Sequence, residues 1–265
     1  MKISIITVCF NSVETLANTI ESVASQMYQD TEYLIVDGGS EDGSVEIIRS
    51  NEAKLDRWVS EPDDGIYDAM NKGLSMSTGD IVGFINSDDV YADSNALGQV
   101  AEVFVDPSVD ACYADLVYVK RDNLQEVVRY CKSCEYQDGL FEKGWCPPHP
   151  TFFVKKDIFE KMGNFELSYS MGNDVELMMR FLARYKIESR YIPKILVKMR
   201  MGGESNRSLV NVVKQNVEIL RAGKSNGIKI SVPFFLMTKI ISRVAQYQAK
   251  RKAIERFKSM SFPRQ

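Results

Sequence analysis

An apolar run that opens into a cluster of carboxylates constrains this chain more than any other feature: Asp80-Ile81-Val82-Gly83-Phe84-Ile85-Asn86-Ser87-Asp88-Asp89. Ile81 to Ile85 is too short for a helix, is bounded by Gly79-Asp80 and Asn86-Ser87, and is apolar on both faces, as in the centre of a parallel sheet. In an open α/β sheet, ligands sit outside the carboxyl ends of the strands, so Asn86, Asp88 and Asp89 are expected to face a site. Two close carboxylates repel, and a hard divalent cation, Mg2+ or Mn2+ rather than zinc, would relieve that repulsion. From the tetrapeptide alone, a turn that caps the next helix reads equally well.

The rest of the chain supplies the frame. Lys2 to Val8 reads as a first strand, with Cys9-Phe10-Asn11-Ser12 as the turn after it. Ser12 is then the cap of a helix whose Leu16, Ile20, Val23 and Met27 recur at helical spacing. Glu32 to Val36 is a second strand closed by Asp37-Gly38-Gly39-Ser40, which completes a βαβ unit. This glycine-rich turn lacks the spacing of the dinucleotide fingerprint or the P-loop, which sets aside NAD enzymes and P-loop ATPases. A helix from Val45, a short strand Trp58-Val59-Ser60 and a helix Ile66 to Met76 precede the central strand, with Gly73 as a weak point in that last helix. Asn95 to Val105 reads as a helix, and Asp110 to Val119 and Gln125 to Tyr130 as strands of a more mixed second half.

A chain of 265 residues, 45% hydrophobic and 26% charged, has the composition of an ordinary folded protein with room for one large α/β domain and an appendage. The N-terminus lacks the pattern of a signal peptide, and Val232 to Met237 is interrupted by Pro233 and far short of the ~20 residues that cross a bilayer. The expectation is a cytoplasmic protein whose five cysteines are reduced. Between Lys224 and Gln265 ten Lys or Arg face one acid, so that tail carries +9 in a chain of net charge −3 and leaves −12 on the body. A basic tail on an acidic body suits an anionic surface.

Four ordered motifs, Ile6-Thr7-Val8-Cys9-Phe10-Asn11, Val36-Asp37-Gly38-Gly39-Ser40, Glu61-Pro62-Asp63-Asp64-Gly65-Ile66-Tyr67-Asp68-Ala69-Met70-Asn71-Lys72-Gly73 and Ile85-Asn86-Ser87-Asp88-Asp89, resemble family 2 glycosyltransferases of the GT-A fold. The chain looks closest to the bacterial branch that builds O-antigen and other surface polysaccharides, over roughly residues 1 to 205. The resemblance implies a Rossmann-like, mostly parallel mixed sheet flanked by helices (domain 1–225) with a basic helical extension (226–265). It also implies an inverting, metal-dependent transfer of a hexose or N-acetylhexosamine from a nucleotide sugar, usually UDP-linked, to a lipid-linked oligosaccharide. By carry-over, Thr7, Val8, Phe10, Asn11, Asp37, Gly38, Asp64, Lys72, Asn86 and Ser87 would hold the nucleotide. Asp88 would bind Mn2+ or Mg2+ on the donor diphosphate, with Asn86 in the place of the first acid of the DxD motif.

The second half adds Pro150 to Lys156 and Met162 to Glu166, which look like the family's segment over the donor sugar, and Gly172-Asn173-Asp174-Val175-Glu176-Leu177. Asp174 matches the family's catalytic base. Asn173 would cap its helix, with Met178, Phe181, Leu182 and Tyr185 turned to the core. Asp89, His149 and Asn173 are expected around the donor and acceptor pocket. Arg200-Met201-Gly202-Gly203-Glu204-Ser205 resembles a family loop near the active site, and its glycines suit a mobile flap.

Cys131, Cys134, Cys146 and His149 have the residue types of a Cys3His zinc site, the alternative being reduced thiols near a strand. Leu236, Ile240, Val244, Tyr247, Ile254 and Phe257 recur at helical spacing beside Lys239, Arg243 and Lys250, a basic amphipathic pattern over about 228–258. It reads as peripheral contact with the inner face of the plasma membrane or as a helix docked on the domain or on a partner chain. Nucleic acid is a poor partner for so acidic a body. Two other functions stay open: a sugar-nucleotidyltransferase, which would want a basic glycine-rich loop that Thr7 to Ser12 lacks, and a non-catalytic nucleotide-sugar or glycan-binding module.

Overall fold

The computed structural model of the chain describes residues 1–202 and 209–249. Strands β1 (Ile3–Cys9), β2 (Thr31–Asp37), β3 (Arg57–Ser60) and β4 (Ile81–Asn86) are joined by helices α1 (Leu16–Ala24), α2 (Ser44–Ser50) and α3 (Ile66–Met76). They pair parallel in the order β3-β2-β1-β4. The sheet then turns mixed through β8 (Phe153–Lys155), β6 (Ala111–Val119), β9 (Ser189–Arg200) and β5 (Val90–Tyr91), with β7 (Val127–Cys131) antiparallel to β6. Helices α4 (Ala96–Val103), α5 (Lys156–Met162), α6 (Asn173–Met178), α7 (Leu209–Ser225) and α8 (Val232–Gln248) complete the element list.

Strand residues alternate between two cores. Ile3, Ile5, Ile35, Ile81 and Ile85 face α1, α2 and α4, while Ile6, Val8, Leu34, Val36 and Phe84 face α3, α5 and α6. The central strand is buried on both faces, as its apolar run predicts. Gly73 does not interrupt α3. A Cβ there would stand 2.4 Å from Ile6 Cγ2, so the glycine is what lets the helix lie directly on β1.

Several local expectations are corrected. Ser12 does not cap α1, which begins at Leu16; its hydroxyl bonds to the Phe10 carbonyl and to Ser87 Oγ instead. Met27 lies beyond that helix and is exposed. Gly172, not Asn173, is the N-cap of α6, and the six-residue helix runs on as a π-helical turn, Met179–Arg184. That turn keeps Phe181 and Leu182 buried but leaves Tyr185 at the surface.

Helix α8 packs on the turn Phe141–Lys143, beside which Phe235 is fully buried, and on β7, where Gln246 Nε2 lies 3.9 Å from Cys131 Sγ. Lys239 is turned inward rather than onto a lipid-facing stripe, its ammonium 2.7 Å from Asn216 Oδ1. Lys250, Ile254 and Phe257 of the amphipathic pattern lie outside the described residues, as do Gly203 to Ser205 of the expected flap. Among the described residues no helix is long and apolar enough to cross a membrane.

Candidate functional site

The carboxyl ends of β1, β2, β3 and β4 bring four loops together. Asn11 N donates to Ser40 Oγ (2.8 Å), Glu41 N to Asn11 Oδ1 (3.0 Å), Gly38 N to the Cys9 carbonyl (2.9 Å), and Ser12 Oγ lies 2.8 Å from Ser87 Oγ. Asn11 adopts a left-handed backbone (φ 48°), a conformation asparagine tolerates better than most residues, which lets its side chain reach back across the loops. Phe10 projects outward and is 63% exposed, whereas Val8 is buried.

Asp37 is fully buried and takes donors from every side: the backbone N–H groups of Gly39 and Ser40, the hydroxyls of Ser40 and Ser60, and the Cys9 thiol. Burial alone would raise its pKa, but the Ser40 and Ser60 hydrogen bonds outweigh it and hold the carboxyl below the usual range. This carboxylate is the staple of the β2 loop. The acid nearest Gly38 is Asp63, whose Oδ2 would lie 2.6 Å from a Cβ at that position. Asp64 is exposed. Thr7 has its hydroxyl buried 3.1 Å from Tyr33 Oη, and Lys72 is held by Glu61 (3.1 Å) and Asp68 (3.4 Å).

At the end of β4, Asp89 is fully buried and Asp88 half-buried. Asn86 Nδ2 donates to Asp89 Oδ2 (3.0 Å), and Asp89 Oδ1 is a buried oxygen without a protein partner. Burial, and then the neighbouring Asp88, pushes the Asp89 carboxyl well above the ordinary carboxylate range; burial also raises Asp88, offset in part by Arg200 and Arg121. Arg200 ties this loop down, donating to the Asp88 carbonyl (2.6 Å), to Asn18 Oδ1 (2.8 Å) and to the Arg121 carbonyl (3.1 Å). Among the described residues no three His, Cys, Asp or Glu side chains form a metal cage. One or two carboxylates with an orphaned oxygen fit a cation that takes its remaining ligands from a donor diphosphate and water, as Mg2+ commonly does.

Asp174 lies in the first turn of α6. Tyr67, on α3, donates its hydroxyl to Asp174 Oδ1 (3.3 Å) and accepts from Gly172 N and Asn173 N (3.2 Å each). Burial pushes the Tyr67 hydroxyl well above its ordinary pKa, so it stays a donor. Asn71, one turn on, clamps Phe165 N and O at 3.0 Å each. Helix α3 thus pins the second half of the site to the first. Asn173 is fully buried and spends its amide on Glu166 N (3.1 Å) and O (2.6 Å).

Asp174 and His149 line one cavity of about 250 Å3, walled also by Trp145, Phe235, Lys239 and Arg243. His149 stacks on Phe84 (centroids 5.9 Å apart), and burial lowers its pKa against the opposing charge of Asp174, which keeps the ring neutral at pH 7. Cys131 and Cys146 share the wall of this cavity with His149, but among the described residues they form no metal-holding set: Cys146 Sγ points to Met178 Sδ (3.7 Å), Cys131 Sγ lies 3.9 Å from Gln246 Nε2, and Cys134 is exposed. Asp63, Tyr67 and Arg200 stand inside motifs read from the sequence but were given no role of their own there, and Trp145 carried no signal.

An α/β sheet with loops gathered at its parallel carboxyl ends, an acid pair beside them and a carboxylate in the wall of a cavity is the arrangement expected of a GT-A sugar transferase. Residues 4–163 match the family described as glycosyl transferase family 2, and the chain belongs to that family. An uncharacterized glycosyltransferase of Mycobacterium tuberculosis is 30% identical over 180 residues, 67% of this chain and 68% of its own. A PGL/p-HBAD biosynthesis glycosyltransferase of the same species is 27% identical over 247 residues, 91% of this chain and 92% of its own. Among solved structures, S. aureus TarS 1-349 in complex with UDP-GlcNAc superposes with a TM-score of 0.63 (16% identity, 85% of this chain, 73% of that one). A mannosyltransferase of Pyrobaculum calidifontis in complex with GDP-Man and Mn2+ gives 0.61 (17% identity, 100% and 76%). This chain spans 43% of a longer TarS chain. The protein is a glycosyltransferase of the GT-A-like fold.

Proposed function

We propose that this glycosyltransferase takes a UDP-linked hexose or N-acetylhexosamine and moves it, with inversion, to a lipid-linked glycan in the building of a surface polysaccharide. The observation that carries the reading is the hydrogen bond by which Tyr67, in the helix of the third motif, holds Asp174 in the wall of a cavity. The donor would lie along Phe10, Asn11, Gly38 and Ser87. Asp88 is the metal ligand of the scheme, backed by Asp89 and fastened by Arg200. Mn2+ or Mg2+, when bound, would neutralise charge on the diphosphate. The acceptor hydroxyl gives its proton to Asp174 as its oxygen bonds to the anomeric carbon; the bond from that carbon to the diphosphate breaks, and the nucleoside diphosphate leaves with the electron pair. UDP as the nucleotide draws support from the TarS complexes and Mn2+ from the mannosyltransferase complex.

Contact with the inner face of a membrane is supported by α8, whose outer side exposes Phe234, Met237, Ile240, Ile241 and Val244. In this scheme 1–225 holds the transfer machinery and 226–265 is the extension that meets the lipid. The test is nucleotide release from UDP-, GDP- and dTDP-sugars with Mn2+ or Mg2+. One donor is expected to turn over with metal and to fail in Asp88→Ala, and Asp174→Asn is expected to abolish transfer while donor binding persists. Donor turnover that survives both substitutions removes the reading.

A further inference from the structure

We infer that the cavity beside Asp174 is the acceptor subsite and that Lys239, with Arg243 next to it, takes a phosphoryl group that the acceptor carries close to its attacking hydroxyl. The inference rests on Asp174 as the base and names what lies beyond it. The cavity exists because α8 is seated: Phe235 is fully buried, and the backbone at Gly144 is so close that a Cβ there would stand 2.7 Å from Lys239 Cγ and 3.4 Å from the Phe235 ring. Gly144 also has φ 72°, so the turn that receives the lysine stem suits glycine in two ways.

The ammonium of Lys239 rests on Asn216 Oδ1 at 2.7 Å and lies 5.0 Å from the Phe235 ring centroid. Among the described residues no carboxylate comes within ion-pair distance of it. Burial lowers its pKa, opposed by Cys146 and Asp174. A cation withdrawn from water without a counter-ion is costly, and an anionic ligand offsets that cost. Two buried polar atoms without protein partners, Trp145 Nε1 and His149 Nε2, belong to residues of the same wall. A ligand hydroxyl or phosphoryl oxygen can satisfy such groups, which native interiors rarely leave unpaired. A base and a cation lining one cavity with aromatic side chains suit a sugar that bears its charge near the reacting hydroxyl.

The experiment is calorimetric titration of the full chain, first with UDP and Mn2+ and then, in saturating UDP, with farnesyl phosphate, farnesol or inorganic phosphate. Farnesyl phosphate is expected to bind at least tenfold more tightly than farnesol. Lys239→Met should erase that ratio at unchanged UDP affinity, which also reports a folded variant, and Lys239→Arg should restore it. If inorganic phosphate displaces farnesyl phosphate at equal concentration, the charged group alone suffices and the site still stands; if it does not, the phosphoryl group is read on its lipid. Equal affinities for farnesyl phosphate and farnesol, or a preference that persists in Lys239→Met, overturn the subsite. The second titration is run whatever the first gives, so failure of UDP to bind counts against the donor scheme and not against Lys239.

Discussion

Tyr67→Phe removes one oxygen that serves three partners. The Asp174 carboxylate loses the donor that orients it, and the N–H groups of Gly172 and Asn173 lose their acceptor. Leaving buried donors unpaired costs about 1–3 kcal/mol, and loss of a positioned base costs more in rate than in affinity. The expected outcome is a kcat lowered by roughly 10- to 100-fold with KM for the donor little changed, together with a lower thermal midpoint. Steady-state kinetics beside calorimetric melting separates the two effects; an unchanged kcat would mean that Asp174 needs no such support. Glu32 makes a different residue-scale case. Burial would raise its pKa, but Ser4 and Thr78 hydrogen bonds and Lys2 bring it down to about 2. A folded pKa below the unfolded one adds stability that is complete above the unfolded value near 4.5 and fades as pH falls toward about 2. Glu32→Gln should therefore be less stable at pH 7, on the order of 2 kcal/mol, and close to wild type at pH 2, as read by urea unfolding at both values.

At the scale of elements, α3 bridges the two halves, and its contact with β1 is set by Gly73. Replacing glycine by alanine in a helix gains up to ~1 kcal/mol of propensity, but the new methyl would meet Ile6 Cγ2 at 2.4 Å. Overpacking costs roughly 1–3 kcal/mol, so Gly73→Ala should melt earlier despite its better propensity. Ile6→Val in the same chain should recover part of the loss, a coupling that a double-mutant cycle measures. This element also shows what sequence discloses. The helix Ile66–Met76 and the strands around it were legible because apolar runs between Gly, Asp and Ser turns have few competing interpretations. The donor loops were legible for the same reason: each follows a strand at its carboxyl end. The Tyr67–Asp174 pair was not, since the two residues are 107 positions apart and a tyrosine in the first turn of an amphipathic helix looks like core. Nor could the pattern tell that Asp37 spends its lone pairs on its own loop and on Cys9 and Ser60 of the neighbouring strands, or that Lys239 turns inward, because periodicity gives the faces of an element but not the neighbour each face meets.

Seen as one molecule, the chain separates an acidic body from a basic, apolar-edged tail. Helix α8 uses one side for the domain and leaves the other to solvent, where Ile240 is 66% and Ile241 59% exposed. We expect the full chain to sediment with vesicles of anionic lipid and to release them only in part at high salt, because apolar insertion survives screening while Lys and Arg attraction does not. An Ile240→Asp, Ile241→Asp variant should stay in the supernatant with donor turnover intact; pelleting equal to wild type would move the lipid contact elsewhere. Arg200 has a consequence in time as well as in space. It belongs to the strand that pairs parallel with β6, and its guanidinium closes on a carbonyl 112 residues upstream. A ribosome adding about 5–20 residues per second exposes residue 200 roughly 6–22 s after residue 88, so the nascent chain carries all four donor motifs well before the acid pair is fastened. Sugar-nucleotide competence should therefore switch on late in synthesis, as a single event, rather than accumulate motif by motif.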